Sequence, residues 1–148
     1  MAHVSARLWR MMRGSLQWRV LWLAHAKFMI GVTGVVRDGD RILLLRHRLW
    51  REGQQWGLPT GYANKSETWQ DTIVREVKEE TGLDVTVGRL VSVTSGYKLR
   101  AEVAYEAQLR GGRLRLDAAE ILEAAWFSVD ALPDGLMKSH RALIEGRV

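Results

Sequence analysis

Three glutamates, Glu76, Glu79 and Glu80, lie within five residues of a segment whose pattern predicts a helix. Residues three and four positions apart fall on one helix face, so the carboxylates are expected within a single turn. The mutual repulsion of the three carboxylates destabilises the helix, and so does the position of Glu79 and Glu80 near the negative end of the helix dipole. Mg²⁺ or Mn²⁺ prefers carboxylate oxygens and neutralises that repulsion. The spacing therefore indicates a metal site.

A second interpretation of these residues is a solvated acidic helix face. Arg75 and Lys78 stand beside the glutamates and would form ion pairs along the helix surface. The eight residues from Arg75 to Gly82, taken alone, favour this interpretation because charge runs on exposed helices are common. The residues upstream reverse the preference.

The upstream residues extend the segment into a longer motif. Gly61 is followed by five residues and Glu67, then by seven residues and the run Arg75-Glu76-Val77-Lys78-Glu79-Glu80-Thr81-Gly82-Leu83. This arrangement resembles the box of the Nudix hydrolases, Gly-x5-Glu-x7-Arg-Glu-U-x-Glu-Glu-x-Gly-U, where U is aliphatic, and every fixed position matches. With the strands before the box and the late segment 120–127, the resemblance spans about residues 28–133.

The resemblance implies a mixed α/β/α sandwich and a pyrophosphohydrolase that depends on Mg²⁺ or Mn²⁺. Its substrate would be a nucleoside diphosphate linked to another group: a nucleotide sugar, a nucleoside triphosphate, ADP-ribose or a dinucleoside polyphosphate. Metal ions neutralise the charge of a diphosphate and acidify the attacking water, as hydrolysis at phosphorus requires. The alternative is a non-catalytic Nudix-like module that binds a nucleotide or nucleic acid.

The resemblance also assigns roles within the helix of the box. Glu76, Glu79 and Glu80 would be metal ligands, and Glu76 or Glu79 would serve as general base. Arg75 would pair with Glu67 and hold the preceding loop against the helix. These two residues join Glu76 and Glu79 as the predicted catalytic group.

Three residues outside that helix are further candidates for holding the metal. Gly61 would lie in the loop that lends a backbone carbonyl. Thr60, where many family members have a second glycine, would present its own carbonyl. Glu120 is an additional candidate, because in parts of the family an acidic residue from this late region supplies a further metal ligand or the general base. A surface acidic turn is the alternative for Glu120.

Basic and aromatic residues around the box are candidates for binding the substrate. Arginine matches phosphate oxygens well, and aromatic rings stack on nucleobases. The alternatives are a solubilising surface for the basic residues and ordinary packing for the aromatic ones. The candidates are Arg46, His47, Arg48, Arg51 and Lys65 for phosphates, and Trp50, Trp56, Tyr62 and Tyr97 for a base.

Periodicity and turn residues predict the elements that must position these groups. Thr68 with Asp71 forms a capping box and Gly82 suits the C′ position, which predicts a helix from about residue 69 to residue 80. Strands on both sides of this helix, and helices at both ends, indicate an α/β fold with a mixed sheet covered by helices. A long loop is expected at 47–66. The predicted strands are 28–36, 41–45, 84–94, 100–109, 113–116 and 122–127, with a hairpin turn at Gly111-Gly112 and a last helix at 138–145.

The composition excludes several classes of protein. The 148 residues include no cysteine, which excludes cysteine nucleophiles and cysteine-based metal sites, and the four histidines are too scattered for a metal cluster. The 47% hydrophobic content is enough to bury the core of one domain. No uncharged apolar stretch is long enough to span a bilayer, and no convincing signal peptide is found. A cytoplasmic location is expected.

Residues 1–27 form a predicted helical extension, and the Nudix-like domain is expected to occupy 28–148. The first 51 residues hold ten Lys/Arg and only Asp38 and Asp40 as acids, which favours an anionic partner. Arginine with tryptophan suits an interfacial helix on anionic lipid. The alternatives are packing against the sheet, a homodimer contact or contact with single-stranded nucleic acid. No specific nucleic acid partner is predicted.

Overall fold

A computed structural model describes residues 6–12, 14–95 and 98–147, with side chains from residue 9 onward. The predicted class, an α/β fold with a mixed sheet, is confirmed. None of the helices it describes is long and apolar enough to cross a lipid bilayer. The elements are α1 (Ala6–Met11), α2 (Gly14–Ala24), β1 (Met29–Asp38), β2 (Arg41–His47), β3 (Trp56–Gly57), β4 (Thr60–Tyr62), α3 (Trp69–Thr81), β5 (Leu83–Ser95), β6 (Arg100–Gly112), β7 (Ile121–Ser128), a 3₁₀ turn (Val129–Ala131) and α4 (Lys138–Ile144).

The strands form one sheet in the order β3-β2-β1-β6-β5, while β4 pairs with β1 and β7 pairs with β2. β1 and β6 run parallel, and the other pairs are antiparallel. β1 is therefore at the centre of the sheet and pairs directly with β4. That pairing brings the loop before α3 to the middle of the molecule.

The core has two halves, one on each face of the sheet. Leu43 and Leu45 of β2 pack with Val77 of α3, whereas Leu44 of the same strand packs with Ile144 of α4. Successive side chains of a strand point to opposite faces, so a strand buried on both faces is apolar throughout. With α3 over one face and α4 over the other, the sheet and its helices form the expected α/β/α sandwich.

The prediction for residues 111–116 is wrong. Gly111 and Gly112 continue β6 by pairing with Asp84 and Leu83, and the segment 113–116 forms no strand. This segment instead runs past the end of α3, where the Arg115 N–H donates to the Thr81 carbonyl at 2.8 Å. The last carbonyls of a helix lack partners within the helix, and this chain segment supplies one.

The expected loop at 47–66 contains the two short strands β3 and β4. Strands of two or three residues are too short to produce a hydrophobic period, so pairing with a neighbour is what defines them. In the expected N-terminal helical segment, the structure has two helices: α1 ends at Met11 and α2 begins at Gly14.

Candidate active site

Helix α3 carries the three glutamates, and local capping sets its ends. The Thr68 hydroxyl accepts a hydrogen bond from the Asp71 N–H at 3.1 Å, and the Asp71 side chain accepts from the Thr68 N–H, which completes the predicted capping box. Gly82 has φ 72° and its N–H donates to the Lys78 carbonyl at 2.9 Å. Glycine adopts this left-handed conformation readily, so the helix ends there.

Arg75 joins the helix to the loop before it. Its Nε donates to Glu67 Oε1 at 2.8 Å and its Nη2 donates to Glu67 Oε2 at 3.1 Å, so that the expected pair is present. The Nη1 donates to Glu76 at 2.7 Å and to Glu79 at 3.1 Å, and the Nη2 also donates to the Tyr62 carbonyl at 3.1 Å. The Arg75 guanidinium holds the pKa of Glu67 down at about 2. One arginine thus ties together three carboxylates and the loop.

Glu80 is buried, with 5% of its side chain exposed. Its Oε1 lies 4.0 Å from His47 Nδ1, and its Oε2 has no hydrogen-bond partner among the described residues. Burial, followed by the negative charges of Glu76 and Glu120, raises the pKa of Glu80 to about 9. Burial also lowers the pKa of His47 to about 4. A buried carboxylate that lacks a compensating cation is expected to take up a proton in this way.

Glu76 lies directly over Gly61. A Cβ built on Gly61 would overlap the Glu76 carboxylate, so only glycine leaves room for this arrangement. Burial raises the pKa of Glu76 in spite of its ion pair with Arg75. The loop glycine and the first glutamate of the helix are therefore in direct contact, as the box requires if both are to serve one metal site.

The donors of this cluster suit a hard divalent cation. The buried, unpartnered oxygen of Glu80 and the mutual repulsion of Glu76, Glu79 and Glu80 are both relieved by a bound cation. Within residues 9–12, 14–95 and 98–147, however, no three acidic or histidine side chains form a ready-made cluster that could hold a metal ion. Arg75 pairs with Glu76 and Glu79. The chemistry of the donors fits a metal, and their present arrangement is that of an ion-paired network.

Glu120 belongs to this acidic cluster electrostatically, because its charge raises the pKa of both Glu76 and Glu80. Asp117, which sequence reasoning did not single out, also raises the pKa of Glu80. The Asp117 N–H donates to the Glu80 carbonyl at 3.1 Å. The late segment is thus held against the end of α3, about 40 residues away in the sequence.

A cavity of about 510 Å³ lies on the α4 face of the sheet. Thr60 lines it and is followed directly by Gly61, so the cavity adjoins the acidic cluster across β4. We call this the Trp50 cavity. Its lining includes Trp50, Arg51, Thr60, Arg100, Met137 and His140.

Arg51 is the predicted phosphate-binding residue that lines the Trp50 cavity. Arg46 lies 3.4 Å from Glu123 across the β2–β7 pair, and Arg48 donates to the Ala118 carbonyl at 3.0 Å. Lys65 is exposed in the loop before α3. These three basic residues are not part of the cavity lining.

The predicted base-stacking residues are dispersed. Trp50 lines the cavity, whereas Trp56 packs edge-on against Phe127 at 5.3 Å. The Tyr62 hydroxyl accepts a hydrogen bond from Arg100 at 2.6 Å, and the guanidinium also lies 5.0 Å from the Tyr62 ring. Tyr97 lies outside the described residues. Of the described aromatic candidates, only Trp50 therefore reaches the cavity.

A stack of aromatic rings connects the acidic cluster to the Trp50 cavity. The sequence did not predict this stack. His47 stacks on Trp50 at 3.8 Å, and Trp50 meets His140 edge-on at 5.7 Å. The alternation of side chains along β2 could have indicated the position of His47. Leu43 and Leu45 face α3, and His47 lies on the same face of the strand. Its contact with Glu80 makes His47 part of the site's surroundings.

Replacing Gly61 by alanine (G61A) is expected to lower activity about a hundredfold, because it displaces the Glu76 carboxylate. The free energy of unfolding should change by less than about 1 kcal/mol, since a flexible carboxylate can swing aside. Gly57→Ala is the matched control: its Cβ would strike the packed Trp50 ring and His140, so it should destabilise the fold. Steady-state kinetics and urea unfolding of both variants test this, and an active G61A enzyme would contradict it.

His140 is expected to make stability fall as the pH falls from about 6.5 to about 4. It is buried, its Nδ1 accepts from the Leu58 N–H at 3.0 Å, and its pKa is lowered to about 4 by burial and then by His47 and Arg100. In this window the unfolded chain binds a proton that the folded chain excludes, so stability rises with pH. By pH 5 the loss is about 2 kcal/mol. Urea unfolding of wild type and H140N should give a flatter profile for the variant, and parallel profiles would rule the effect out.

Comparisons with known proteins identify the family of this chain. The NUDIX domain family model matches residues 27–146. The NAD-capped RNA hydrolase NudC of Vibrio atlanticus is 36% identical over 100 residues, which cover 67% of this chain and 37% of that protein. NudC of Vibrio vulnificus is 35% identical over 99 residues, which cover 66% of this chain and 38% of that protein. The chain thus spans less than half the length of these curated relatives.

Solved structures share the fold. An ADP-ribose pyrophosphatase from Streptococcus suis has a TM-score of 0.65 at 28% identity, over 78% of this chain and 88% of that one. A MutT NUDIX hydrolase from Burkholderia pseudomallei has a TM-score of 0.69 at 25% identity, over 82% of this chain and 99% of that one. With the intact box on α3, the acidic cluster beside Gly61 and a family match over most of its length, this chain belongs to the Nudix hydrolase family.

Proposed function

We propose that this protein is a pyrophosphohydrolase that uses Mg²⁺ or Mn²⁺ to cleave a nucleoside diphosphate linked to another group. The observation that carries the proposal is the contact between two parts of the molecule at β4. Thr60 lines the Trp50 cavity, and the next residue, Gly61, lies against the Glu76 carboxylate. A substrate whose nucleoside enters the cavity would bring its diphosphate to the acidic cluster.

The metal would be held by Glu76, Glu79 and Glu80, with backbone carbonyls of Thr60 and Gly61 as further donors and Glu120 nearby. When bound, the cation supplies charge neutralisation for the diphosphate and a lower pKa for the attacking water. Arg75 donates hydrogen bonds to Glu76 and Glu79, so it holds these carboxylates beside each other. Glu67 fixes the other end of the same guanidinium.

A general base must accept the proton of the attacking water. Glu76 and Glu79 are the two candidates, because Glu80 is buried beside His47. Glu79 is the more exposed, with 60% of its side chain accessible to solvent. Rate–pH profiles of E76Q and E79Q separate the two, since loss of the base removes the acidic limb while loss of a ligand alone leaves it.

The chemistry of the Trp50 cavity suits a nucleotide. Arg51 supplies a guanidinium for phosphate oxygens, and the Trp50 ring supplies a surface for stacking. Relatives are named for NAD-capped RNA and for ADP-ribose, which share an adenosine diphosphate ribose unit. This supports compounds with an ADP-ribose unit as the first substrates to test.

The decisive experiment is a substrate panel with Mg²⁺ and, separately, Mn²⁺. NAD, ADP-ribose, nucleotide sugars, nucleoside triphosphates, dinucleoside polyphosphates and NAD-capped RNA are incubated with wild type and E79Q, and the products are separated by chromatography. We expect a mononucleotide product from wild type only, with label from oxygen-18 water in one product phosphate. Tight binding without turnover across the whole panel would instead favour a non-catalytic module.

Arg51→Ala is expected to raise KM about tenfold or more with a smaller change in kcat. A charged hydrogen bond to phosphate contributes roughly 1.5–3 kcal/mol, and a contact made equally in the ground and transition states appears in KM. Arg48→Ala is the matched control, because Arg48 precedes the same loop and donates to the Ala118 carbonyl outside the cavity. Steady-state kinetics with the substrate that the panel identifies test this prediction. An unchanged KM would show that Arg51 does not bind the substrate.

A further inference from the structure

The segment that precedes the sheet is basic throughout. Residues 1–28 contain Arg7, Arg10, Arg13, Arg19 and Lys27, and the first acidic residue of the chain is Asp38. A segment with five positive charges and no negative one is attracted to an anionic surface and repelled by another copy of itself. The Nudix chemistry proposed above uses none of these residues.

Helix α2 also exposes a large apolar surface. None of its residues is buried, and the exposed fractions are 66% for Trp18, 55% for Trp22 and 74% for Leu23. Leu16 and Leu21 of the same helix are exposed as well, as is Met11 of α1. Soluble proteins rarely leave so many large apolar side chains together on one short element without a binding role. The alternative of packing against the sheet does not account for them, because these side chains are open to solvent.

The cations lie among the aromatic rings. Arg19 lines the same shallow apolar hollow as Trp18, Trp22 and Leu23, and we call these four residues the α2 patch. The Lys27 ammonium lies 4.4 Å from the centre of the Trp22 ring. Tryptophan with arginine or lysine is the combination that favours the boundary between lipid headgroups and acyl chains.

We propose that the α2 patch binds the surface of a bilayer that contains anionic lipid. The helix lies at the interface and does not cross, since no described helix is long and apolar enough to do so. Charge complementarity favours an anionic bilayer over a second copy, because a homodimer would bring two basic segments together. The exposed leucines favour lipid over nucleic acid, since acyl chains bury aliphatic side chains and phosphates and bases do not.

Co-sedimentation of the full chain with vesicles tests the proposal. Vesicles of phosphatidylglycerol with phosphatidylcholine are compared with vesicles of phosphatidylcholine alone. Wild type should bind the anionic vesicles about tenfold more tightly or better, with a blue shift of tryptophan emission. W18S/W22S should lose both signals, and R19E/K27E should lose the preference for anionic lipid. Leu114→Ser, which alters an exposed leucine outside the α2 patch, is the matched control and should bind as wild type does.

Three outcomes would overturn the proposal. Wild type could stay in the supernatant with both kinds of vesicle, or W18S/W22S could bind as tightly as wild type. In the third outcome, the protein does not bind vesicles but does self-associate or bind single-stranded nucleic acid, and W18S/W22S abolishes that binding. The α2 patch would then bind a second copy or nucleic acid, whichever was lost. Thermal unfolding of each variant checks that the domain is intact, which we expect because the replaced side chains are exposed. The result is independent of the hydrolase activity.

Discussion

Replacing Glu80 by glutamine (E80Q) is expected to lower the proposed metal-dependent hydrolysis about a hundredfold or more. Glutamine keeps the size of the side chain and removes the charge that a divalent cation requires, and metal ions contribute several kcal/mol to stabilising the transition state. The folded protein tolerates the change, because Glu80 is buried with an oxygen that has no partner among the described residues. Metal-free E80Q should therefore unfold no more easily than metal-free wild type.

Two measurements check the Glu80 prediction separately. Kinetics with Mg²⁺ report the chemistry, and the rise in unfolding temperature on adding Mg²⁺ reports binding without any need for turnover. We expect the rise in wild type and its loss in E80Q. Glu106→Gln is the matched control, since Glu106 pairs with Arg89 in another part of the molecule. If E80Q keeps full activity and the full thermal shift, Glu80 is not a ligand and the proposed site is wrong.

Replacing Arg75 by lysine (R75K) is expected to lower both stability and catalysis. The guanidinium makes two hydrogen bonds to Glu67 and further ones to Glu76, Glu79 and the Tyr62 carbonyl. A lysine keeps the charge but has a single nitrogen and cannot reproduce this planar geometry. We expect a loss of about 2 kcal/mol in the free energy of unfolding and about a hundredfold in activity, because the loop and the helix separate.

The control for Arg75 is Arg89→Lys. Arg89 makes the same two-pronged contact with Glu106, at 2.8 and 2.7 Å, but on the exposed surface. An exposed pair contributes at most about 1 kcal/mol, so R89K should be nearly neutral in urea unfolding and in activity. Equal effects of R75K and R89K would mean that Arg75 is only one more surface ion pair.

The limits of helix α3 and the content of its box follow from short-range rules. Thr68 and Asp71 are three residues apart, and Gly82 is the residue that ends the helix, so capping alone predicts both ends to within one residue. The spacing of Glu76, Glu79 and Glu80 likewise depends only on the helical period. Sequence separation and spatial separation are nearly the same over one turn, which is why these predictions agree with the structure.

The same short-range rules could not predict the structure of the short segments between the predicted elements. β3 and β4 are defined by pairing with strands that lie at least nine residues away in the chain. Residues 113–116 have strand-like composition but run past the end of α3 instead. Alternation predicts that a segment can be a strand, and only an available neighbour makes it one.

The local sequence pattern placed three glutamates on one helix of a Nudix box. That prediction depended only on residues close together in the chain. The tertiary structure decided what surrounds them: His47 beside Glu80, Glu120 and Asp117 within reach of their charges, and Trp50 lining a cavity across β4. These contacts join residues tens of positions apart, and the free energy that selects them comes from packing the whole sheet between α3 and α4. Alternation along β2 indicates which face of the sheet His47 takes, but no periodicity in a single segment identifies its partner across the fold.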